Sequence, residues 1–150
     1  MYNISMRIFF AGPLTNLEHP EETKQWYKNM ADVATKNGFD SFWAFMSGTD
    51  PVKNPNVEPG YIYEKDLKEL EKSNLMIAYI GEPSTGTGQE IEYAKEHNIP
   101  VYLIYEKDKP VSRMVKGNPA VYGVIEFADY EDSLRQLDTL LASIREKTSH

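Results

Sequence analysis

The stretch from Glu82 to Glu90 carries side chains and backbone that could bind an anion. It follows an apolar run and precedes a helical pattern. Gly86 and Gly88 let the backbone approach a ligand closely, and Ser84 offers a hydroxyl donor. The free amide groups at the start of a helix attract negative charge. These features predict a ligand-binding loop, although a glycine-rich loop before a helix is also common where nothing binds.

Two carboxylates, Glu90 and Asp66, could carry out catalysis. Glu90 is expected in the first turn of the helix, where the helix dipole would keep its carboxylate ionised, as a nucleophile requires. Asp66 falls on a second predicted helix, in an acidic and aromatic stretch. A solvated surface carboxylate is the usual interpretation of an aspartate in that position.

Apolar spacing places these residues in alternating strands and helices. The pattern predicts strands at 8–11, 39–45, 75–80, 101–105 and 124–127, and helices at 21–37, 61–72, 89–97, 110–116 and 131–147. This alternation predicts a single α/β domain over 1–150, with a five-stranded parallel sheet and helices on both faces. Ligands bind beyond the carboxyl ends of such strands, which points to loops 12–16, 46–60 and 81–90.

Composition narrows the function classes. The net charge of −7, with scattered basic residues, disfavours binding to nucleic acid. The chain has no cysteine, which excludes disulfides, thiolate catalysis and cysteine-bound zinc. His19 and His97 lack metal-ligand spacing, so we expect neither a metal nor a cofactor. Without a long apolar run or a secretory signal pattern, a cytoplasmic location without membrane contact is expected.

Three segments, taken in order, resemble the nucleoside 2-deoxyribosyltransferase superfamily. Ile8 to Pro13 resembles its first strand and loop, Glu64 to Leu67 its Asp-bearing helix, and Ser84 to Glu90 its nucleophile loop. The resemblance implies a flavodoxin-like fold, with Phe9, Gly12 and Pro13 at the substrate. It also implies that Glu90 attacks C1′ of the sugar and forms a covalent glycosyl-enzyme, while Asp66 protonates the leaving base and then activates the acceptor.

Two serines connect the chain to the branch that acts on nucleoside 5′-monophosphates. Ser84, six residues before Glu90, resembles a phosphate-binding serine of that branch. The segment 111–117 resembles one in which a serine, here Ser112, reaches the phosphate bound by a neighbouring subunit. This likeness implies a homodimer or a larger homo-oligomer with a shared site. Ser112 could instead be the N-cap of a short helix, the usual role of serine before a helix.

One residue in the first strand and three at the end of the second suggest how sugar and base are selected. Phe9 stands where the deoxynucleotide-specific enzymes carry tyrosine, and it resembles the phenylalanine of a group that hydrolyses cytidine monophosphates. We therefore predict that ribonucleotides are tolerated or preferred, with simple core packing as the alternative. Trp43, Phe45 and Met46 could stack on the base, and core packing is again the alternative for each.

The expected activity is hydrolysis of the N-glycosidic bond of a ribo- or 2′-deoxynucleoside 5′-monophosphate, giving free base and sugar 5-phosphate. The alternatives are a 2-deoxyribosyltransferase that exchanges bases and a nucleotide-binding module without catalysis. A response regulator is excluded. Such a protein should carry its acidic pocket after the first strand and its phospho-acceptor aspartate after the third, and here those positions hold Gly12-Pro13 and Gly81-Glu82.

Overall fold

A computed structural model describes residues 5–148 and shows an α/β fold. Its strands and helices, in chain order, are β1 (Met6–Ala11), α1 (Pro20–Lys36), β2 (Phe39–Phe42), α2 (Pro59–Glu71), β3 (Leu75–Tyr79), α3 (Thr85–Glu96), β4 (Val101–Glu106), α4 (Arg113–Lys116), β5 (Val121–Phe127) and α5 (Tyr130–Thr148). The five strands form one parallel sheet in the order β2-β1-β3-β4-β5. The predicted five-stranded parallel sheet and flavodoxin-like topology are therefore confirmed.

Strand β1 lies between β2 and β3 and marks the point where the chain reverses its direction across the sheet. Ile8 pairs with Ser41 of β2 on one side and with Leu75 of β3 on the other. All five residues of β3 are buried, as expected for a strand covered on both faces. Helices α1 and α5 pack against each other, as do α2 and α3. A ligand crevice is expected at the carboxyl edge beside β1.

Helix α1 shows how the local sequence sets a helix and ties it to the core. Pro20 begins the helix, and a left-handed Gly38 (φ +82°) follows its end. Trp26 and Tyr27 are buried on the sheet side. The Trp26 indole N–H donates to the Ser133 hydroxyl of α5 at 2.8 Å, so the two helices on this face are joined by a buried hydrogen bond.

The structure differs from the sequence prediction at several element boundaries. The second strand ends at Phe42, before a short 3₁₀ turn at Ala44–Met46, and β5 begins at Val121, three residues early. The start of α3 matters most for the site. Ser84 caps this helix by accepting the Thr87 amide at 3.2 Å, so the helix begins at Thr85 and not at 89.

Candidate active site

A cavity of about 680 Å³ opens at the carboxyl edge of the sheet, in the size range of small-molecule sites. The end of β1 and its loop form one side, and the residues after β2 form a second. Residues of α2 and α3 form the remaining sides of the cavity. The lining includes Phe9, Gly12, Thr15, Trp43, Thr49, Pro51, Tyr63, Asp66, Ser84, Gly86, Glu90 and Tyr93. The cavity therefore lies where the fold rule and the sequence predicted a ligand.

Asp66 on α2 and Glu90 on α3 line this cavity from two different helices. Burial raises the pKa of Asp66 to about 6, with Lys65 lowering it and Glu69 raising it. Within the described residues, the buried Oδ1 of Asp66 has no hydrogen-bond partner. Burial, and then the negative charge of Asp66, raises the pKa of Glu90 to about 8. The two carboxyl groups together hold a proton at neutral pH, as acid–base chemistry requires.

The expectation that Glu90 is ionised by the helix dipole was wrong. Because α3 begins at Thr85, Glu90 is the sixth residue of the helix and lies in its second turn. The dipole acts mainly within the first turn. Burial and the nearby Asp66 therefore dominate, and they favour the protonated form of Glu90.

The start of α3 offers neutral hydrogen-bond donors to an anion. Helix geometry leaves the amides of Thr85 and Gly86 without intrahelical acceptors. The space beside Gly86 is open, since an added Cβ would meet no atom within 4 Å. Ser84 also lines the cavity. Gly88 does not, and its amide donates to the Ser84 carbonyl at 3.1 Å. Among residues 5–148, no lysine or arginine lines the cavity, whereas four carboxylates do.

The first loop is fixed tightly to α1. A Cβ on Gly12 would lie 2.7 Å from the Tyr27 hydroxyl oxygen, so any larger residue would force Tyr27 or the loop to shift. That hydroxyl donates to the Pro13 carbonyl at 2.9 Å. Phe9 is only 1% exposed and stacks on Phe42, with 5.3 Å between ring centroids. Phe9 and Gly12 border the cavity, whereas Pro13 is buried and does not line it.

Of the three residues predicted to stack on a base, only Trp43 borders the cavity. Its ring already stacks on Phe10 and Tyr27, with centroid distances of 5.1 and 4.1 Å. Phe45 is buried and Met46 is exposed, and neither lines the cavity. Trp43 is therefore part of the core as well as part of the cavity wall.

Ser112 caps the short helix α4. Its hydroxyl oxygen accepts the Val115 amide at 3.2 Å, and the residue is exposed outside the cavity of its own chain. The N-cap alternative is thus confirmed as a local role. A contact with a neighbouring subunit's ligand stays a prediction.

Sequence analysis missed several cavity residues. Tyr63 precedes Asp66 by three residues and Tyr93 follows Glu90 by three, so each shares a helix face with its carboxylate. That spacing could have revealed them. Thr49 and Pro51 lie in loop 46–60, which the fold rule had indicated, but no periodic signal singles them out within it.

Comparison with known proteins places the chain in a family. The sequence profile of the nucleoside 2-deoxyribosyltransferase family matches residues 8–142. The chain belongs to this family. A Nematostella vectensis relative, provisionally named 2′-deoxynucleoside 5′-phosphate N-hydrolase 1, is 37% identical over 76% of this chain and 78% of its own length. A Methanosarcina mazei relative of the same provisional name is 40% identical over 56% of this chain and 51% of its own length.

The curated family members vary in how much of their length is matched. Other relatives with the same provisional name align over 36% to 62% of their lengths. A solved CMP N-glycosidase of Clostridium botulinum superimposes with a TM-score of 0.69 and 19% identity, covering 89% of this chain and 98% of its own. This likeness shows the shared fold. The family resemblance noted from the motifs is confirmed.

Two further features concern membranes and metals. Within residues 5–148, no helix is both long enough and apolar enough to span a bilayer. The same residues contain no cluster of three or more His, Cys, Asp or Glu side chains that could hold a metal ion.

Proposed function

We propose that this protein hydrolyses the N-glycosidic bond of a nucleoside 5′-monophosphate. The observation that carries the proposal is the pair of carboxyl groups, Asp66 and Glu90, which line one cavity with their pKa values raised to about 6 and about 8. Two neighbouring carboxyl groups that share one proton can supply an acid and a nucleophile once that proton rests on one of them. Family membership and the names of the relatives support the same reaction class.

In the first step, the proton that the two carboxyl groups share moves from Glu90 to Asp66, and the ionised Glu90 attacks C1′ of the sugar. The C1′–N bond breaks, its electron pair goes to the base, and Asp66 supplies a proton to the leaving base. A bond between a Glu90 carboxylate oxygen and C1′ replaces the one that broke. At neutral pH this proton rests mainly on Glu90, whose pKa of about 8 exceeds the value of about 6 for Asp66, so binding of the nucleotide must favour its transfer to Asp66.

In the second step, water attacks C1′ from the face that the base has vacated. The Asp66 carboxylate takes a proton from that water, and the Glu90 carboxylate leaves C1′. The products are free base and sugar 5-phosphate, and the proton taken up by Asp66 returns to Glu90, which restores the starting state of the pair. Neither step as written needs a metal or a cofactor.

We further propose that the phosphate binds at the start of α3. The Ser84 hydroxyl and the adjacent amides supply the hydrogen bonds, as helix N-termini commonly do for phosphate. In a homodimer, Ser112 of a neighbouring subunit would complete the phosphate site. Light scattering of the purified protein would detect such a dimer. The absence of a hydroxyl at Phe9 leaves space beside the sugar, and ribonucleotides are expected to be accepted.

Transfer of the sugar to a second base is the second candidate. The matching family profile bears the name of that activity, and a cavity of about 680 Å³ has room for an incoming base beside the sugar. Glu90 would form the same intermediate, and a base would replace water as the acceptor. The two candidates differ only in the acceptor.

The deciding experiment measures base release from nucleosides and 5′-monophosphates, both ribo and 2′-deoxy, with Glu90→Ala as control. We expect release from monophosphates by the unaltered protein and none by the variant. Release only after addition of a second base would establish the transferase. Failure to release base from any compound, with or without an acceptor, would overturn the proposal and leave a binding module.

A further inference from the structure

The segment of residues 47–57, here called the wall segment, forms part of the cavity without regular secondary structure of its own. Thr49 and Pro51 contribute its cavity-lining atoms. Thr49 is 4% exposed, and its hydroxyl donates to the Ala44 carbonyl at 2.9 Å. An irregular segment needs such anchors, because loops otherwise sample many conformations. What holds the wall segment therefore determines the shape of one side of the cavity.

The residue between Thr49 and Pro51 is Asp50, whose side chain is only 1% exposed. The Lys24 ammonium of α1 donates to both carboxylate oxygens, at 2.9 and 3.2 Å. The Val52 amide also donates to this carboxylate, at 2.8 Å, and the Asn54 amide donates to the Asp50 carbonyl at 2.7 Å. Asp50 thus organises the turn and connects it to α1.

A buried ion pair is an unusual way to fix a loop. Burial alone would raise the pKa of Asp50, but the hydrogen bond from Lys24 and those from the backbone lower it below its usual value. The carboxylate therefore stays charged against Lys24. Desolvation makes buried pairs poor general stabilisers, whereas they do fix geometry in some proteins. Neither Lys24 nor Asp50 lines the cavity.

A second anchor lies at the start of the wall segment, at Ser47. The Lys65 ammonium of α2 donates to the Ser47 carbonyl. Lys65 directly precedes Asp66 in the chain. The wall segment is therefore fixed to α1 near its middle and to α2 at its start, and loss of the first anchor leaves the second in place.

We propose that Lys24 and Asp50 are positioning residues whose ion pair holds Thr49 and Pro51 against the bound nucleotide. The inference rests on the proposed function and adds residues outside the cavity to it. Loss of the pair weakens nucleotide binding and leaves bond cleavage unchanged, because Asp66 and Glu90 sit on helices that the pair does not touch. If the ion pair served only the stability of the fold, its loss would change KM no more than the loss of another ion pair on α1.

The test compares two double variants with matched substitutions. Lys24→Met with Asp50→Asn removes both charges and avoids leaving a buried carboxylate without its counter-ion, while the Asn side chain can still accept the Val52 amide. The control is Lys36→Met with Asp138→Asn. Lys36 also lies on α1, and it pairs with Asp138 of α5 at 3.4 Å on the protein surface.

We expect KM for CMP and 2′-deoxycytidine 5′-monophosphate to rise at least about tenfold in the first variant, with kcat changed less than about threefold. The control variant keeps both constants. Lys24→Arg, which preserves the charge, recovers a large part of the affinity. An unchanged KM, or an equal rise in the control, would overturn the inference, as would a loss confined to kcat.

A second measurement does not depend on turnover. Amide hydrogen exchange of Val52 and Asn54 should accelerate in the first variant and not in the control, while exchange in β3 stays slow. If the unaltered protein releases base from no nucleotide, the proposed function fails, and this exchange measurement still decides whether the pair holds the wall segment. Unchanged exchange would show that it does not.

Discussion

Glu90 should make the stability of this protein fall as pH rises, and Glu90→Gln should remove the part of that dependence that Glu90 contributes. In the folded state its pKa is raised from 4.5 to about 8. The folded state therefore binds more protons than the unfolded state between these values, so stability is greatest below the lower pKa and decreases through the interval. The full effect corresponds to about 5 kcal/mol.

The assay is urea unfolding of both proteins at pH 5 and pH 9. Between these values, ionisation of Glu90 should destabilise the unaltered protein by about 4 kcal/mol. The free energy of unfolding of Glu90→Gln, relative to the unaltered protein, should therefore increase by that amount. The cost of burying the glutamine amide is the same at both pH values, so it cancels when the difference between the two proteins is compared at pH 5 and pH 9. For this comparison to hold, the unfolding free energies of the two proteins must decrease equally steeply with urea concentration.

Glu92→Gln is the matched control, since Glu92 is on the same helix with a side chain that is 56% exposed. Its relative stability should change little between the two pH values. If Glu90→Gln gains less than about 1 kcal/mol, or no more than Glu92→Gln, then Glu90 is not held protonated by burial. The raised pKa would then be wrong, and so would the assignment of a shared proton to the pair.

Three further predictions concern the sugar, the phosphate and the first loop. Phe9→Tyr adds a hydroxyl beside the sugar and should lower kcat/KM for ribonucleotides relative to deoxynucleotides, and an unchanged ratio in a substrate comparison would contradict this. Ser84→Ala should reduce kcat/KM for monophosphates by about tenfold or more and for nucleosides much less, whereas an equal loss would indicate only a weakened helix cap. Gly12→Ala places a methyl group against Tyr27 and should lower the unfolding free energy by about 1–3 kcal/mol; chemical denaturation without such a loss would show that the loop can move.

The fold could be predicted because its signals are local and repeated. The apolar run 75–80 and the helical spacing in 131–147 each identify an element, and the alternation of such strands and helices along the chain predicts a parallel sheet. The location of the cavity follows from the sheet topology alone. The start of α3 was misplaced because Gly86 and Gly88 disfavour helix, whereas the Ser84 cap outweighs that preference.

The charge state of Glu90 could not be predicted from its own segment. The helix dipole follows from the local sequence. The burial of Glu90 depends on how the whole chain packs, and the charge of Asp66 comes from α2, 24 residues earlier in the chain. The wall segment poses the same difficulty. Thr49 lines the cavity next to Asp50, and the contact of Asp50 with Lys24 joins residues 26 positions apart. Neither of these long-range contacts is indicated by the spacing of apolar residues in the sequence.

The absence of basic side chains from the described cavity lining has a consequence for how a nucleotide arrives there. Glu92 and Glu96 line the cavity with the two central carboxyl groups, and the chain carries a net charge of −7. A phosphate approaching this opening is repelled until it reaches the amides of α3. Dissolved salt screens that repulsion over about 10 Å, so encounter becomes faster as ionic strength rises. Enzymes that guide anions with lysine and arginine behave in the opposite way.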